Sequence, residues 1–149
     1  MKNDYLKNQL DLHGQVELAK AVMFWFGDDT HVNTLIIAQA YHESDGLRSN
    51  IYKENKNPFG MKLPQRRLTY AYTEERGHAR YHTVGDAVGD LWLWLQFHSI
   101  DVAEMKDITD YADTLKKRGY YEDSQRNYAN GMKHWSKYVK LWFSSGERQ

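Results

Sequence analysis

Pro58 and Pro64 are the only prolines in the chain, and both stand near its middle. A proline lacks the backbone N–H that a helix or an inner strand needs, so it interrupts regular structure where it falls. With both interruptions in one place, KENKNPFGMKLPQRR reads as an irregular polar loop, and the chain on either side is free to be helical. Upstream, Leu6, Leu10, Leu18, Val22, Met23 and Phe26 recur at roughly helical spacing. They predict a helix over about residues 4–26, open to a break near Gly14. FGDDT ends it. Thr30 or Asn33 can cap a second helix carrying Val32, Leu35, Ile36, Ala38 and Ala40, with Gly46 placed to stop it. Glu43 then falls on its last turn.

Downstream, LTYAYTEERGHARYHT alternates in the manner of paired strands around EERG, which predicts a short hairpin over about residues 67–82. TVGD has capping-box form at Thr83 and Asp86, with Asp where Glu or Gln is usual. Val84, Val88, Leu91 and Leu95 follow at helical spacing, giving a third helix to about His98. Asp107 or Thr109 can begin a fourth through YADTLKKRG, whose basic residues suit a helix C-terminus before Gly119. Ser124 can cap a fifth, along which Tyr128, Met132, Trp135, Val139 and Trp142 keep a helical stripe. The expected class is mainly α, formally α+β. A small β-hairpin lobe, about residues 64–83, is inserted after the Glu43 helix and its loop. At 149 residues, with 14% aromatic side chains for a core, the chain is expected to form a single domain, 1–149.

Charge narrows the function classes. Lys plus Arg and Asp plus Glu number 20 each, so no global field favours nucleic acid or an anionic membrane, and any such binding needs a local patch. No stretch approaches the roughly 20 apolar residues that span a bilayer, and MKNDYLKNQLDLHGQ contains no apolar run of signal-peptide length. Without cysteine there is no disulfide or thiol chemistry. His42 and Glu43 open the zinc motif H-E-x-x-H, but Gly46 stands where the second histidine belongs. His78 and His82 would face one side of a strand, which is too few ligands for a site. Neither a metal nor a cofactor is expected. The run LWLWLQFH reads as core with one exposed edge, where a tryptophan can stack on a sugar.

A carboxylate that ends an apolar helix before a loop and a hairpin can sit on the wall of a cleft between two lobes. Partial burial there raises its pKa, and a glutamic acid kept protonated near neutral pH can protonate a glycosidic oxygen. Spacing alone leaves a second reading open, in which Glu43 is a solvated helix-end charge.

AQAYHESDG followed by NPFGMK resembles the glucosaminidase family of peptidoglycan hydrolases, of the flagellar-hydrolase and autolysin type. In that family a helix ends in an A-x-x-E-S-G-like motif and N-x-F-G-[IM]-K follows. ARYHTVGDAVGDLWLWL is similar to the family's strand-to-helix segment, and YADTLKKRGYYEDSQRNYANGMKHW to its C-terminal block. The likeness covers roughly Leu35 to Trp135 in the family's order.

The resemblance implies a lysozyme-like helical domain whose hairpin lobe flanks a catalytic cleft. It implies cleavage of the β-1,4 bond next to N-acetylglucosamine in bacterial cell wall, with Glu43 as general acid. Asn57, Pro58, Phe59 and Gly60 form a turn that could present backbone amides and one aromatic face to a sugar, Gly60 allowing close approach. Phe59 reads equally well as a core anchor. Tyr121 and Tyr128 match the family's cleft tyrosines; Tyr121 is favoured as the functional one and Tyr128 as a packing residue. Glu74 and Glu75 fall at the hairpin tip, where the family carries a second, mobile acid, and alternation favours Glu74. An inverting mechanism needs a base about 6.5–9.5 Å from the acid and a retaining one a nucleophile about 5 Å away, while substrate assistance uses the acetamido oxygen. Asp45 stands where the family has Gly or a bulky aromatic, which leaves the shape of the cleft floor open.

Two other classes stay in view. A lytic transglycosylase or muramidase on a related fold also depends on one glutamate after a helix, but NPFGMK replaces its G-L-M-Q-like turn. A noncatalytic wall-binding or structural virion module would keep the fold without the chemistry. The expected setting is the bacterial cell wall, reached as a phage lysin, as a virion-associated enzyme or after loss of a leader. Other virion or envelope proteins are then candidate partners.

Overall fold

A computed structural model describes residues 12–147, with side chains for residues 13–139. Leu6, Leu10 and the side chain of Trp142 therefore lie outside the described residues, as does the expected start of the first helix. In chain order the elements are α1 (Leu12–Phe26), α2 (Thr30–Glu43), α3 (Asn50–Asn55), β1 (Thr73–Glu75), β2 (His78–Arg80), α4 (Val84–Phe97), a 3-10 turn (Val102–Glu104), α5 (Ile108–Lys117) and α6 (Gln125–Glu147). The class is the expected one, mainly helical with one two-stranded antiparallel sheet.

Local chemistry explains most boundaries. α1 runs through Gly14 without a break. Asp29, not Thr30 or Asn33, caps α2 by accepting from the Val32 N–H at 3.2 Å. Asn33 instead donates to the Gly27 carbonyl at 3.0 Å and fastens the turn between α1 and α2. Thr83 caps α4, Asp107 caps α5, and the Ser124 hydroxyl accepts from the Asn127 N–H at the start of α6. The short α3 was not predicted; Ser49 caps it, and Lys56 in the left-handed region ends it.

α2 is buried along nearly its whole length, from Val32 through Ile36, Ile37 and Ala38 to Tyr41. A helix that is apolar on every side belongs at the centre of a fold. α6 and α1 pack against it, α1 also meets α4, and α5 meets α6. At the crossing of α2 and α6, Gly131 lies against the His42 ring with no room for a Cβ, so the two helices approach closely where α2 is about to end.

The hairpin is shorter than predicted. Its strands hold three residues each, in the register Thr73↔Arg80, Glu74↔Ala79 and Glu75↔His78. Asp90, fully buried on α4, explains the difference. It accepts from Arg67 at 2.7 Å, from the Thr69 hydroxyl at 2.8 Å and from the Tyr70 N–H at 3.3 Å, and so draws this segment onto the helix instead of into the sheet. The tip is Arg76 and Gly77, which puts Glu74 and Glu75 on β1 rather than on the turn. His78 and His82 do not share a strand either: β2 ends at Arg80, and His82 stacks on Tyr72 with ring centroids 3.9 Å apart.

Candidate active site

The chain leaves α2 through three consecutive left-handed residues, Asp45, Gly46 and Leu47, with φ of 50°, 66° and 63°. The turn is secured by the Gly46 N–H donating to Tyr41 at 2.8 Å and by the Ser44 hydroxyl, which donates to Ala40 and accepts from the Leu47 N–H. Glu43 is thus carried on the last residue of a buried helix whose exit is pinned. Asp45 occupies a conformation that glycine adopts freely and that Asp tolerates better than most residues. Its carboxylate is exposed and pairs with Arg48 at 3.1 Å, so it does not form the cleft floor.

The Glu43 side chain lies beside Gly60, where an added Cβ would stand 3.6–3.7 Å from its carboxyl atoms. Tyr128, 1% exposed on α6, donates its hydroxyl to Glu43 Oε2 at 3.2 Å. Burial lifts the Glu43 pKa from the usual 4.5 to about 7, and the Tyr128 hydrogen bond opposes that shift. The proton is therefore held by desolvation and not by a neighbouring acid. The Glu43 charge in turn helps to hold the phenols of both Tyr128 and Tyr120 well above their ordinary value, burial being the larger cause.

The two expected tyrosines differ in what they touch. Tyr128 touches Glu43. Tyr121 stacks on the outer face of Tyr128 at 3.7 Å and donates to the Ala112 carbonyl, which places it one ring away from the carboxyl. His42 also meets Tyr128, edge-on at 4.5 Å, and burial lowers its pKa. Among the described residues no cluster of three or more metal-ligating side chains exists.

The Asn57 turn also differs from its expected use. Asn57 is buried, and its Oδ1 accepts from the Phe59 and Met61 N–H groups while its Nδ2 donates to the Met61 and Ala79 carbonyls, both at 2.9 Å. Those backbone amides and this side chain are committed internally. Phe59 is 0% exposed, so it is the core anchor and offers no face to a sugar. Gly60 lies beside Glu43 and is the one of the four that lines the adjoining cleft.

Glu74 and Glu75 are both exposed. Glu75 is ion-paired with Arg80, and its carbonyl accepts from Asn55 at 2.9 Å. Glu74 enters no ion pair among the described residues.

An open cleft of about 430 Å³ extends from Gly60, with Trp94, Phe97 and Tyr120 on its walls and the segment from Lys62 to Arg67 along its rim. Trp94 meets Tyr120 edge-on at 4.8 Å, and Tyr120 donates to the Phe59 carbonyl at 2.8 Å, tying this cleft to the Asn57 turn. Of the two tryptophans in LWLWLQFH, both half-buried, Trp94 lines this cleft. Tyr120 and Gln39 were missed. Gln39, fully buried, accepts from the Tyr111 hydroxyl at 2.7 Å. A lone glutamine inside IIAQAY was the available signal, since a buried amide needs partners.

A carboxyl whose pKa burial has raised, beside a glycine that lines an open aromatic cleft, suits acid-catalysed cleavage of a glycosidic bond, the chemistry of a glycoside hydrolase. The Glucosaminidase family, described as mannosyl-glycoprotein endo-beta-N-acetylglucosaminidase, matches residues 29–141, and the chain belongs to that family. Its activity is accordingly that of an endo-β-N-acetylglucosaminidase-type hydrolase. The match opens at the cap of α2 and leaves α1 outside. No curated protein and no solved structure matches the chain. Among the described residues no helix is long and apolar enough to cross a membrane.

Proposed function

We propose that the enzyme hydrolyses the β-1,4 bond that follows N-acetylglucosamine in bacterial peptidoglycan, with Glu43 as general acid. The observation that carries this reading is the Glu43 carboxyl itself, half-buried beside Gly60 with its pKa lifted to about 7. At neutral pH a large fraction is protonated and able to donate to the glycosidic oxygen as that bond breaks. The Tyr128 hydroxyl occupies Oε2, which leaves Oε1 to carry the proton. Tyr121 then serves by stacking on Tyr128 and fixing that ring, a positioning role.

In this reading Glu74 is the base that activates water. It is the hairpin carboxylate without an ion pair among the described residues, whereas Glu75 is held by Arg80. Purified peptidoglycan digested by wild type, Glu43→Gln, Glu74→Gln and Glu75→Gln tests the assignment. Glu43→Gln is expected to lose at least about a hundredfold in rate. Glu74→Gln should fall by a similar factor, Glu75→Gln by less than about threefold, and the new reducing ends should be N-acetylglucosamine. Muramic-acid or anhydro ends would sink the bond assignment. Full activity in Glu74→Gln would transfer the second role to the substrate's acetamido oxygen.

A further inference from the structure

With 20 basic and 20 acidic residues in the chain, a local surplus of one sign is informative. One lies on the cleft beyond Gly60, where Lys62, Arg66 and Arg67 stand on the rim and Glu122 is the single acid. Arg67 is neutralised by the buried Asp90 at 2.7 Å. Lys62 and Arg66 are exposed and enter no ion pair among the described residues. His98 also lines the cleft, its pKa lowered first by burial and then by the charges of Arg118 and Arg67. Trp94 supplies an apolar wall for a sugar ring, and Phe97, 57% exposed, continues it. The cleft volume of about 430 Å³ is within the range of ligand sites, about 300–1,000 Å³.

Aromatic walls alone suit any neutral amino-sugar polymer. Unpaired cations on the rim of the same cleft suit one that carries acid groups, because complementary charge raises both encounter rate and selectivity. We propose that the cleft arm running from Gly60 past Trp94 binds a glycan segment bearing a carboxylate, with Lys62 and Arg66 as its counter-ions. The inference rests on the peptidoglycan reading and deepens it, since that polymer carries a free lactyl carboxylate on alternate sugars where no peptide is attached and the carboxylates of the peptide where one is. Through Gly60 the arm adjoins Glu43, so an anion seated there sets which bond meets the acid.

The test measures binding to Glu43→Gln protein with and without Lys62→Gln and Arg66→Gln, using three ligands by calorimetry. These are the neutral N-acetylglucosamine tetramer, peptide-free glycan strands with free lactyl carboxylates, and peptide-bearing strands. At about 50 mM salt the added substitutions are expected to weaken at least one carboxylate-bearing ligand by about tenfold. The tetramer should change by less than about twofold, and the difference should shrink at about 0.5 M salt. Loss with the peptide-free strands identifies the lactyl carboxylate as the partner; loss confined to the peptide-bearing strands identifies the peptide. Equal weakening of the tetramer, or no weakening of either charged ligand, overturns the proposal. Both side chains are exposed, so the variants should keep the wild-type circular dichroism. The hydrolase reading is judged separately, by the lytic rate of the Glu43→Gln protein, and its failure would leave these binding ratios readable.

Discussion

At the scale of single residues, Glu43 is a group whose surroundings oppose its own charge. Its pKa rises from the usual 4.5 to about 7, so the folded protein favours the protonated form. The sign follows from linkage: the stability associated with that proton is fully present below pH 4.5 and is lost as pH rises through about 7. The gap between those values corresponds to at most about 3 kcal/mol. Urea unfolding of wild type and Glu43→Gln should therefore coincide near pH 4, and by pH 8 the variant should be the more stable by up to about 3 kcal/mol. A variant less stable at pH 8 would mean that the site stabilises the carboxylate. Catalysis follows the same proton in the same sense, and kcat/KM should fall as pH rises above about 7. The Tyr128 hydroxyl lowers the Glu43 pKa, so Tyr128→Phe should move that alkaline limb upward in a pH–rate profile. A limb that moves downward would contradict the assigned hydrogen bond. The glutamate and its cleft tyrosines were legible as residue types. Which tyrosine touches the acid was not, because Tyr121 lies in the loop before α6 and Tyr128 on α6 itself, and how each meets the end of α2 is a long-range packing fact.

At the scale of elements, Asp90 fastens the cleft rim to α4. It is fully buried and Arg67 nearly so, which makes the pair sensitive to loss of one partner. Asp90→Asn leaves the guanidinium uncompensated and should cost about 3–5 kcal/mol in a urea titration, with greater proteolytic sensitivity over residues 62–71. A cost below about 1 kcal/mol would mean that the rim is held by something else. The crossing of α2 and α6 is equally specific. Gly131→Ala has no space beside His42 and should destabilise by about 1–3 kcal/mol while lowering activity, because the ring it displaces adjoins Glu43. The caps at Thr83, Asp107 and Ser124 could be read in advance because an N-cap bonds within three residues of itself. Asp90 could not: it lies inside an apolar helical run, and its partners Arg67, Thr69 and Tyr81 come from another segment. For the same reason alternation over residues 67–72 suggested strand where the structure has a loop drawn to a buried charge.

At the scale of the whole molecule, the two lobes are unequally built. The helical body shares one large buried cluster centred on α2, whereas on the hairpin side the buried apolar cluster among the described residues is small, Ala79 and Tyr81 against Ala87 of α4. Every residue of β1 is exposed. What joins β2 to the body is a short set of bonds, from the Ala79 N–H to Met61, from the Tyr81 N–H to Asn55 and from Asn57 to Ala79. β1 is tied to the body through the Asn55 bond to the Glu75 carbonyl and carries no buried side chain, so it is the strand expected to open first while β2 stays attached. Hydrogen exchange followed residue by residue should place the amides of Thr73–Glu75 on the order of a hundredfold or more below those of α2 in protection. The Ala79 and Tyr81 amides should remain close to the core values. This pattern bears directly on Glu74, since a strand that opens locally can carry a carboxylate toward a glycan bound beside Glu43. If β1 proves as protected as α2, the hairpin is rigid on that scale, and a base on it would have to act from where it lies.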